Sequence, residues 1–218
     1  MLTDRYKDAV HFAIDLHDGH MRKGTQIAYL SHLLSVSALV MENGGCEDEA
    51  IAALLHDALE DQGDDYQSTS SSVSPHAGRE ALKSDIERFY GRRVRDIVVA
   101  CTDDEEFKRP PPGEKGEVEA WRERKAHHIA MLETEGDLGA LRVACADKLH
   151  NARSMLLDHS EHGDAFWGRF RAGSRDNVVW YFSGMAQLFR RRAESAGDAG
   201  LQRLVVELEA VTQRIRAL

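Results

Sequence analysis

The chain has few cysteines, and their spacing fits neither a disulfide framework nor a zinc knuckle. Cys46, Cys101 and Cys145 are odd in number and far apart, which predicts reduced thiols in a core. The sequence also lacks any apolar run near the roughly 20 residues that cross a bilayer, and its N-terminus lacks an apolar signal core. We therefore predict a cytoplasmic protein without a membrane partner.

An excess of positive charge is lacking as well. Lys and Arg number 28 against 37 Asp and Glu, which gives a formal net charge of -9 at pH 7. Binding to a nucleic-acid backbone needs clustered cations with little opposing charge, so we expect no nucleic-acid partner. A phosphorylated ligand must then be a small molecule held by local cations or by a metal ion.

Alternating strand patterns are nearly absent, and apolar residues recur at helical spacing. The 218 residues suffice for one sizeable core. We predict a mainly α protein, a compact single domain over residues 1–218 with eight to ten helices. Its core is expected at about 3–190 and a C-terminal helix at 198–218, with mobile loops at about 62–78 and 103–118, where serine and proline runs occur.

The periodicity also predicts the helix bounds. After a first helix capped by Thr3 or Asp4, the predicted helices are Tyr29–Met41, Glu47–Asp61, Arg79–Tyr90, Arg92–Cys101, Glu119–Glu133, Asp137–Leu157 and Leu201–Leu218. An aromatic-rich stretch between Phe166 and Phe182 is expected to pack the C-terminal helices onto the core. The apolar stripe of the last helix is interpreted as core, and homo-oligomerisation stays open.

Four possible metal ligands lie in segments that otherwise have the pattern of amphipathic or buried helices: His32, His56, Asp57 and Asp147. An ionisable group there costs free energy unless it is paired or bound. Each residue alone is more often a hydrogen-bonded structural residue, but one shared metal ion accounts for all four. Two imidazoles and two carboxylates suit Mn²⁺, Fe²⁺ or Zn²⁺ better than Ca²⁺, and we predict manganese.

Further polar residues follow these ligands at helical spacing. Glu60 is four residues after His56, and Asp61 is four after Asp57, so the four emerge at one end of the predicted helix. Asn151 lies one turn after Asp147. The remaining histidines, including His17 and His20, are interpreted as surface or structural residues.

The order His, His-Asp, Asp resembles the HD superfamily of metal-dependent phosphohydrolases. A sharper resemblance is to the hydrolase domain of the RelA/SpoT homologues and to the stand-alone small alarmone hydrolases. The motifs that carry it are Arg22-Lys23-Gly24, Tyr29-Leu30-Ser31-His32, Ala53-Leu54-Leu55-His56-Asp57-Ala58-Leu59-Glu60-Asp61 and Ala146-Asp147-Lys148-Leu149-His150-Asn151-Ala152-Arg153. The acidic pair after the His-Asp dipeptide and the Asp-x-x-x-Asn-x-Arg pattern are the specific parts.

The resemblance implies Mn²⁺-dependent removal of pyrophosphate from the 3′ position of guanosine tetra- and pentaphosphate, the alarmones of the stringent response. It implies that His32, His56, Asp57 and Asp147 hold the metal, that Glu60 and Asp61 activate water and manage protons, and that Arg22, Lys23, Asn151 and Ser154 contact the nucleotide. Arg22 is the residue expected to stack on the purine.

Two other functions remain open from the sequence. One is an HD phosphohydrolase that acts on another nucleotide, such as an adenosine alarmone or the 2′-phosphate of NADPH, because none of the motif residues separates guanine from adenine. The other is a nucleotide-binding domain without catalysis. The presence of all four ligands and both acidic residues argues against the second alternative.

Overall fold

The computed structural model of the chain describes residues 1–67, 78–102, 116–169 and 174–218. These residues form ten α-helices and one 3₁₀ helix, and an isolated antiparallel β-bridge joins Met21 and Ala28. The mainly α fold class is therefore confirmed. No helix of the described ranges is both long enough and apolar enough to span a bilayer.

The helices follow one another with short connections in most of the described ranges. They are α1 Asp4–Leu16, α2 Leu30–Glu42, α3 Glu47–Leu55, α4 Ala58–Asp61, α5 Arg79–Tyr90, α6 Arg92–Cys101, α7 Glu117–Thr134, α8 Leu138–His162, the 3₁₀ helix Gly163–Arg169, α9 Arg175–Ala196 and α10 Ala199–Arg216. The chain divides into two compact units, Met1–Thr102 with Asp137–Val143, and Asp103–Gly136 with Ala144–Leu218.

In the first unit, α3 packs against α1, α2 and α6. Every residue from Ala50 to Leu55 is fully buried, because this run is apolar on all faces of the helix. Glu47, Asp48 and Glu49 occupy the first turn of α3, where negative charge is favoured by the helix dipole. The result is a buried helix whose C-terminal end carries the His-Asp dipeptide.

Glu49 joins two arginines inside this unit. Its carboxylate accepts hydrogen bonds from Arg142 and from Arg93, the latter at 2.9 Å, and Glu49 and Arg142 are both buried. A buried charge that loses its partner is strongly destabilising, by about 3–5 kcal/mol. The pair therefore makes the stability of the unit sensitive to a single change of charge.

We expect Glu49→Gln to lower the free energy of unfolding by about 3–5 kcal/mol, because the buried Arg142 guanidinium loses its countercharge. Urea denaturation followed by far-ultraviolet circular dichroism measures the change. Glu42→Gln, at an exposed position, is the matched control and should stay within about 0.5 kcal/mol of the parent. Equal stability of the two variants would contradict the assigned role of the pair.

In the second unit, α9 packs against α7 and α10. The apolar stripe of the last helix is buried, as predicted: Leu201, Leu204, Val205, Leu208, Val211 and Ile215. Gly197 ends α9 in the left-handed conformation at φ 65°, and the Asp198 carboxylate accepts a hydrogen bond of 2.7 Å from the Leu201 amide to begin α10. The sharp turn between these two helices is thus set by glycine and by an N-cap.

Two predicted elements differ from the structure. The predicted helix Glu47–Asp61 is broken, since α3 ends at Leu55 and α4 starts at Ala58. The aromatic stretch belongs in part to a long helix, α9, that the sequence analysis does not identify. The predicted mobile loops fall largely at 68–77 and 103–115, and Phe170 of the aromatic stretch at 170–173, all outside the described residues.

Candidate active site

His32, His56 and Asp57 converge in the first unit. His32 lies on α2, and the other two lie between α3 and α4. One carboxylate oxygen of Asp57, Oδ2, lies 3.0 Å from Nε2 of His56 and 3.5 Å from Nε2 of His32. The two imidazoles are 1% and 2% exposed. This set of two imidazole nitrogens and a carboxylate fits a divalent transition metal.

The His56 ring is oriented by its own helix. Its Nδ1 lies 2.8 Å from the Ala53 carbonyl oxygen, which can only accept, so Nδ1 carries the proton and Nε2 presents its lone pair in the neutral ring. This is the outer hydrogen bond that metal-binding histidines normally make. The protonation state needed for a metal ligand is therefore set by the backbone of α3.

The break between α3 and α4 falls on the His-Asp dipeptide itself. Asp57 has φ -96° and ψ -1°, in the sparsely populated bridge region where many active-site residues are found. This departure from helical geometry corrects the continuous helix expected from the sequence. Glu60 and Asp61 therefore belong to a separate short helix, α4.

Tyr29 is a further contact of the site, and the sequence analysis assigned it no role. Its hydroxyl donates a hydrogen bond of 2.5 Å to Oδ2 of Asp57, and its ring packs edge-on against His32 at 5.4 Å between centroids. Tyr29 precedes α2 by one residue, so it fixes Asp57 against the start of the helix that carries His32. The sequence feature that could have indicated this contact is the position of Tyr29 three residues before His32.

Arg22 and Lys23 lie in a small hairpin between α1 and α2. The Arg22 amide donates to the Ile27 carbonyl at 2.8 Å, and the Tyr29 amide donates to the His20 carbonyl at 2.8 Å. Gly24, with φ 74°, supplies the left-handed conformation at the turn. Arg22 is half-buried and Lys23 is exposed. The hairpin therefore carries two cationic side chains that are at least partly accessible to solvent.

Glu60 and Asp61 are exposed on α4. The surroundings raise the pKa of Asp61 to about 7, first through partial removal from water and then through the negative charges of Asp57 and Glu60. A carboxyl group with such a pKa exchanges protons near neutral pH, as a general acid or base requires. The raised pKa of Asp61 is compatible with the predicted proton-handling role, which stays a prediction for both residues.

The raised pKa of Asp61 has a consequence for stability. In the metal-free protein the folded state holds this proton between about pH 4 and 7, while the unfolded state releases it, so Asp61 lowers stability as pH rises through this window. We expect the melting temperature of Asp61→Asn minus that of the parent to increase between pH 4.5 and 7.5. Circular dichroism melts in EDTA measure it. Asp65→Asn is the control, and an equal, pH-independent difference for both variants would contradict the pKa.

Asp147 lies on α8, in the second unit. Its two carboxylate oxygens accept hydrogen bonds from Lys148 Nζ at 2.6 Å and from Asn151 Nδ2 at 2.5 Å. Asp147 is buried and Asn151 is half-buried. The one-turn spacing predicted for these residues is therefore realised as a direct contact. Ser154 follows on the same helix, half-buried.

The structure thus brings together His32, His56 and Asp57 within one unit, and it joins Asp147 to Asn151 within the other. His17 and His20, which the sequence predicts to be surface or structural residues, also lie in the first unit. They lie beside Tyr29, with ring centroids 5.3 Å and 4.1 Å from its ring. Burial lowers the pKa of His17 to about 4, and the charge of His20 adds to the effect. The sequence feature that could have indicated this pairing is the spacing His-x-x-His around a glycine.

These features agree with a family match. The HD domain family matches residues 9–165, and the chain belongs to that family. It is a metal-dependent phosphohydrolase by class. The matched range includes all four predicted metal ligands and both acidic residues of α4.

Individual relatives show a more specific similarity than the family match. The chain is 30% identical over 151 residues to the guanosine-3′,5′-bis(diphosphate) 3′-pyrophosphohydrolase MESH1 of Xenopus tropicalis, over 68% of each chain. It is 28% identical over 153 residues to the bifunctional (p)ppGpp synthase/hydrolase SpoT of Escherichia coli, where it spans 18% of the longer protein. Among solved structures, the Listeria monocytogenes protein lmo0812 aligns with TM-score 0.57 and 25% identity, over 84% of this chain and 94% of that one.

Proposed function

We propose that this protein is a Mn²⁺-dependent hydrolase that removes pyrophosphate from the 3′ position of guanosine tetra- and pentaphosphate. The observation that carries the proposal is the convergence of two buried imidazoles on one Asp57 oxygen, with an acidic pair one helical turn further along. Relatives at 28–30% identity bear the names of enzymes for this reaction. Both the donor set and the relatives thus support metal-dependent hydrolysis of a nucleotide pyrophosphate.

The metal ion would be held by His32, His56 and Asp57, and by Asp147 as a fourth ligand. Asp147 is proposed as a ligand from its motif position in the sequence. When bound, the metal polarises a phosphate oxygen and lowers the pKa of water. Mn²⁺ is proposed over Fe²⁺ and Zn²⁺ from the family resemblance, since the mixed imidazole and carboxylate set accommodates all three ions.

Glu60 and Asp61 are proposed to manage the protons of the reaction. Glu60 is exposed on α4, so its carboxylate is accessible to take a proton from the attacking water. Asp61 has a pKa of about 7, which suits a group that donates a proton to the leaving 3′ oxygen and is recharged from solvent. The reaction balances as one water added and one P–O bond broken, with a guanosine 5′-phosphate nucleotide and pyrophosphate as products.

Arg22, Lys23, Asn151 and Ser154 are proposed to bind the nucleotide. The planar guanidinium of Arg22 suits stacking on a purine, whereas the Lys23 ammonium suits a phosphate as a point charge. Asn151 offers an amide for the ribose, and Ser154 a hydroxyl. The substrate is then a small nucleotide, consistent with the net charge of -9. A cytoplasmic location is also proposed, supported by three cysteines that are free thiols.

A substrate panel tests the proposal. The Mn²⁺-loaded protein is incubated with guanosine 5′-diphosphate 3′-diphosphate, its adenosine counterpart and NADPH, and the products are separated by anion exchange. We expect pyrophosphate and GDP from the guanosine substrate. Orthophosphate from NADPH alone, or pyrophosphate from the adenosine substrate alone, would replace this proposal with another nucleotide specificity. Absence of turnover on all three would leave binding without catalysis.

A further inference from the structure

A second group of metal-binding side chains lies in the first unit, apart from the His-Asp dipeptide. It consists of His17 at the C-terminal cap of α1, His20 three residues later, and Asp61 at the end of α4. One ligand atom from each residue lies within 4.8 Å of those of the other two. Of these three residues, the proposed reaction uses only Asp61.

A tight turn creates the histidine pair. Gly19 has φ 69°, a conformation that strains any residue with a Cβ atom, and the His20 amide donates to the His17 carbonyl at 3.0 Å. The two rings consequently stack at 5.4 Å between centroids and 13° between planes. Tyr29 covers His20 at 4.1 Å. The backbone and this aromatic ring therefore hold the pair in place.

The distance between the two rings fits a shared ion. Nδ1 of His17 and Nδ1 of His20 are 3.1 Å apart. Two imidazole nitrogens bound to one Zn²⁺ at about 2.0–2.1 Å lie roughly 3.0–3.4 Å apart, depending on coordination geometry. In a hydrogen bond only one of the two nitrogens uses its lone pair as acceptor, whereas an ion between them engages both.

The electrostatic surroundings favour a cation at this place. His17 caps the C-terminus of α1, where the helix dipole attracts positive charge. Asp61 adds a carboxylate, and Asp57 and Glu60 place further negative charge around it. His17 is 4% exposed whereas Asp61 is exposed, so the group has one buried end and one end open for an ion to enter.

The geometry points to a second divalent metal site formed by His17, His20 and Asp61. Two imidazoles and one carboxylate suit Zn²⁺ most among the common ions, with the remaining coordination position filled by water. Such an ion ties the hairpin that carries Arg22 to α4. This inference concerns metal binding and holds whichever nucleotide the protein hydrolyses. While the ion is bound, Asp61 is a deprotonated ligand, so the proton transfer proposed for Asp61 requires this second site to be empty.

The test counts Zn²⁺ ions in tag-free protein. EDTA-treated parent, His20→Gln, Asp57→Asn and the double variant are titrated calorimetrically, and the complexes are weighed by native mass spectrometry. His20 is half-exposed, so its replacement spares the core. We expect two equivalents in the parent, one in each single variant and none in the double variant. His11→Gln, at an exposed position on α1, is the control and should keep both.

Amide exchange gives a second readout that does not depend on counting. In Asp57→Asn protein, Zn²⁺ should slow hydrogen exchange of the amides in 17–29 and 58–61, and this protection should vanish in the double variant. One equivalent in the parent and none in Asp57→Asn would overturn the inference, as would Zn²⁺ stoichiometry and protection unchanged by His20→Gln. Neither outcome bears on hydrolysis by the first site.

Discussion

Asp57→Ala is expected to remove one equivalent of bound metal and at least about 10³-fold of kcat/KM. The Asp57 oxygen is the atom on which His32 and His56 converge, at 3.5 Å and 3.0 Å, so its loss removes a ligand and leaves the imidazoles without their shared partner. Metal catalysis of phosphoryl chemistry contributes several kcal/mol, and each 1.36 kcal/mol is a factor of about ten in rate. Elemental analysis and pyrophosphate release measure the two effects.

Two further variants are the controls for Asp57→Ala. Asp57→Asn retains the size of the side chain and one oxygen, so it separates loss of charge from loss of packing. Asp65→Ala removes an exposed carboxylate nearby in sequence and should keep its metal and its turnover. If Asp57→Ala folded normally by circular dichroism and retained both, the assignment of the metal centre would be wrong.

Glu60→Gln is expected to retain the metal and to lose about 10²–10⁴-fold of kcat, the usual contribution of a positioned general acid or base. The amide is isosteric with the carboxylate but accepts no proton. Because Glu60 is exposed, the melting temperature should change little. Steady-state kinetics should show the loss in kcat with KM nearly constant, as is typical of an interaction made only in the transition state.

The control for Glu60 is Glu161→Gln, another exposed position on a helix, which should leave both kinetic constants unchanged. A Glu60→Gln protein with parental kcat would show that proton transfer is handled elsewhere. Asp61, with its raised pKa, is then the residue to replace next. Loss of metal in Glu60→Gln would instead indicate that Glu60 is a ligand.

Sequence periodicity predicted most helices. The polar residues that interrupt apolar segments include His32, His56 and Asp57, whose side chains converge in the structure, and their role as metal ligands stays a prediction. Both depend on local patterns, because an apolar run and the residues that interrupt it are visible at a distance of a few positions. The helix break at His56 and Asp57 was not predictable in this way. His56 and Asp57 have a lower helix propensity than the Ala and Leu residues around them, but the difference is too small to end a helix by itself. The break is a property of the folded site, seen in the backbone angles of Asp57.

Two other features of the structure could not be predicted from the local sequence pattern. The pairing of His17 with His20 depends on a left-handed Gly19 and on Tyr29 packing over His20, which is a contact across a turn. The helix α9 is capped at its N-terminus by Ser174, whose hydroxyl accepts a hydrogen bond from the Asn177 amide at 3.2 Å. That capping signal was present in the sequence, but the aromatic and β-branched residues after it have lower helix propensity and obscured it.

One isotope measurement tests the central claim, that water attacks the 3′ phosphorus of a guanosine alarmone at this site. The Mn²⁺-loaded protein hydrolyses guanosine 5′-diphosphate 3′-diphosphate in ¹⁸O-enriched water, and the products are analysed by mass spectrometry. We expect one ¹⁸O atom in each pyrophosphate and none in GDP, with the reaction abolished in Asp57→Ala. Label in the nucleotide, release of orthophosphate, or equal turnover by Asp57→Ala would contradict it.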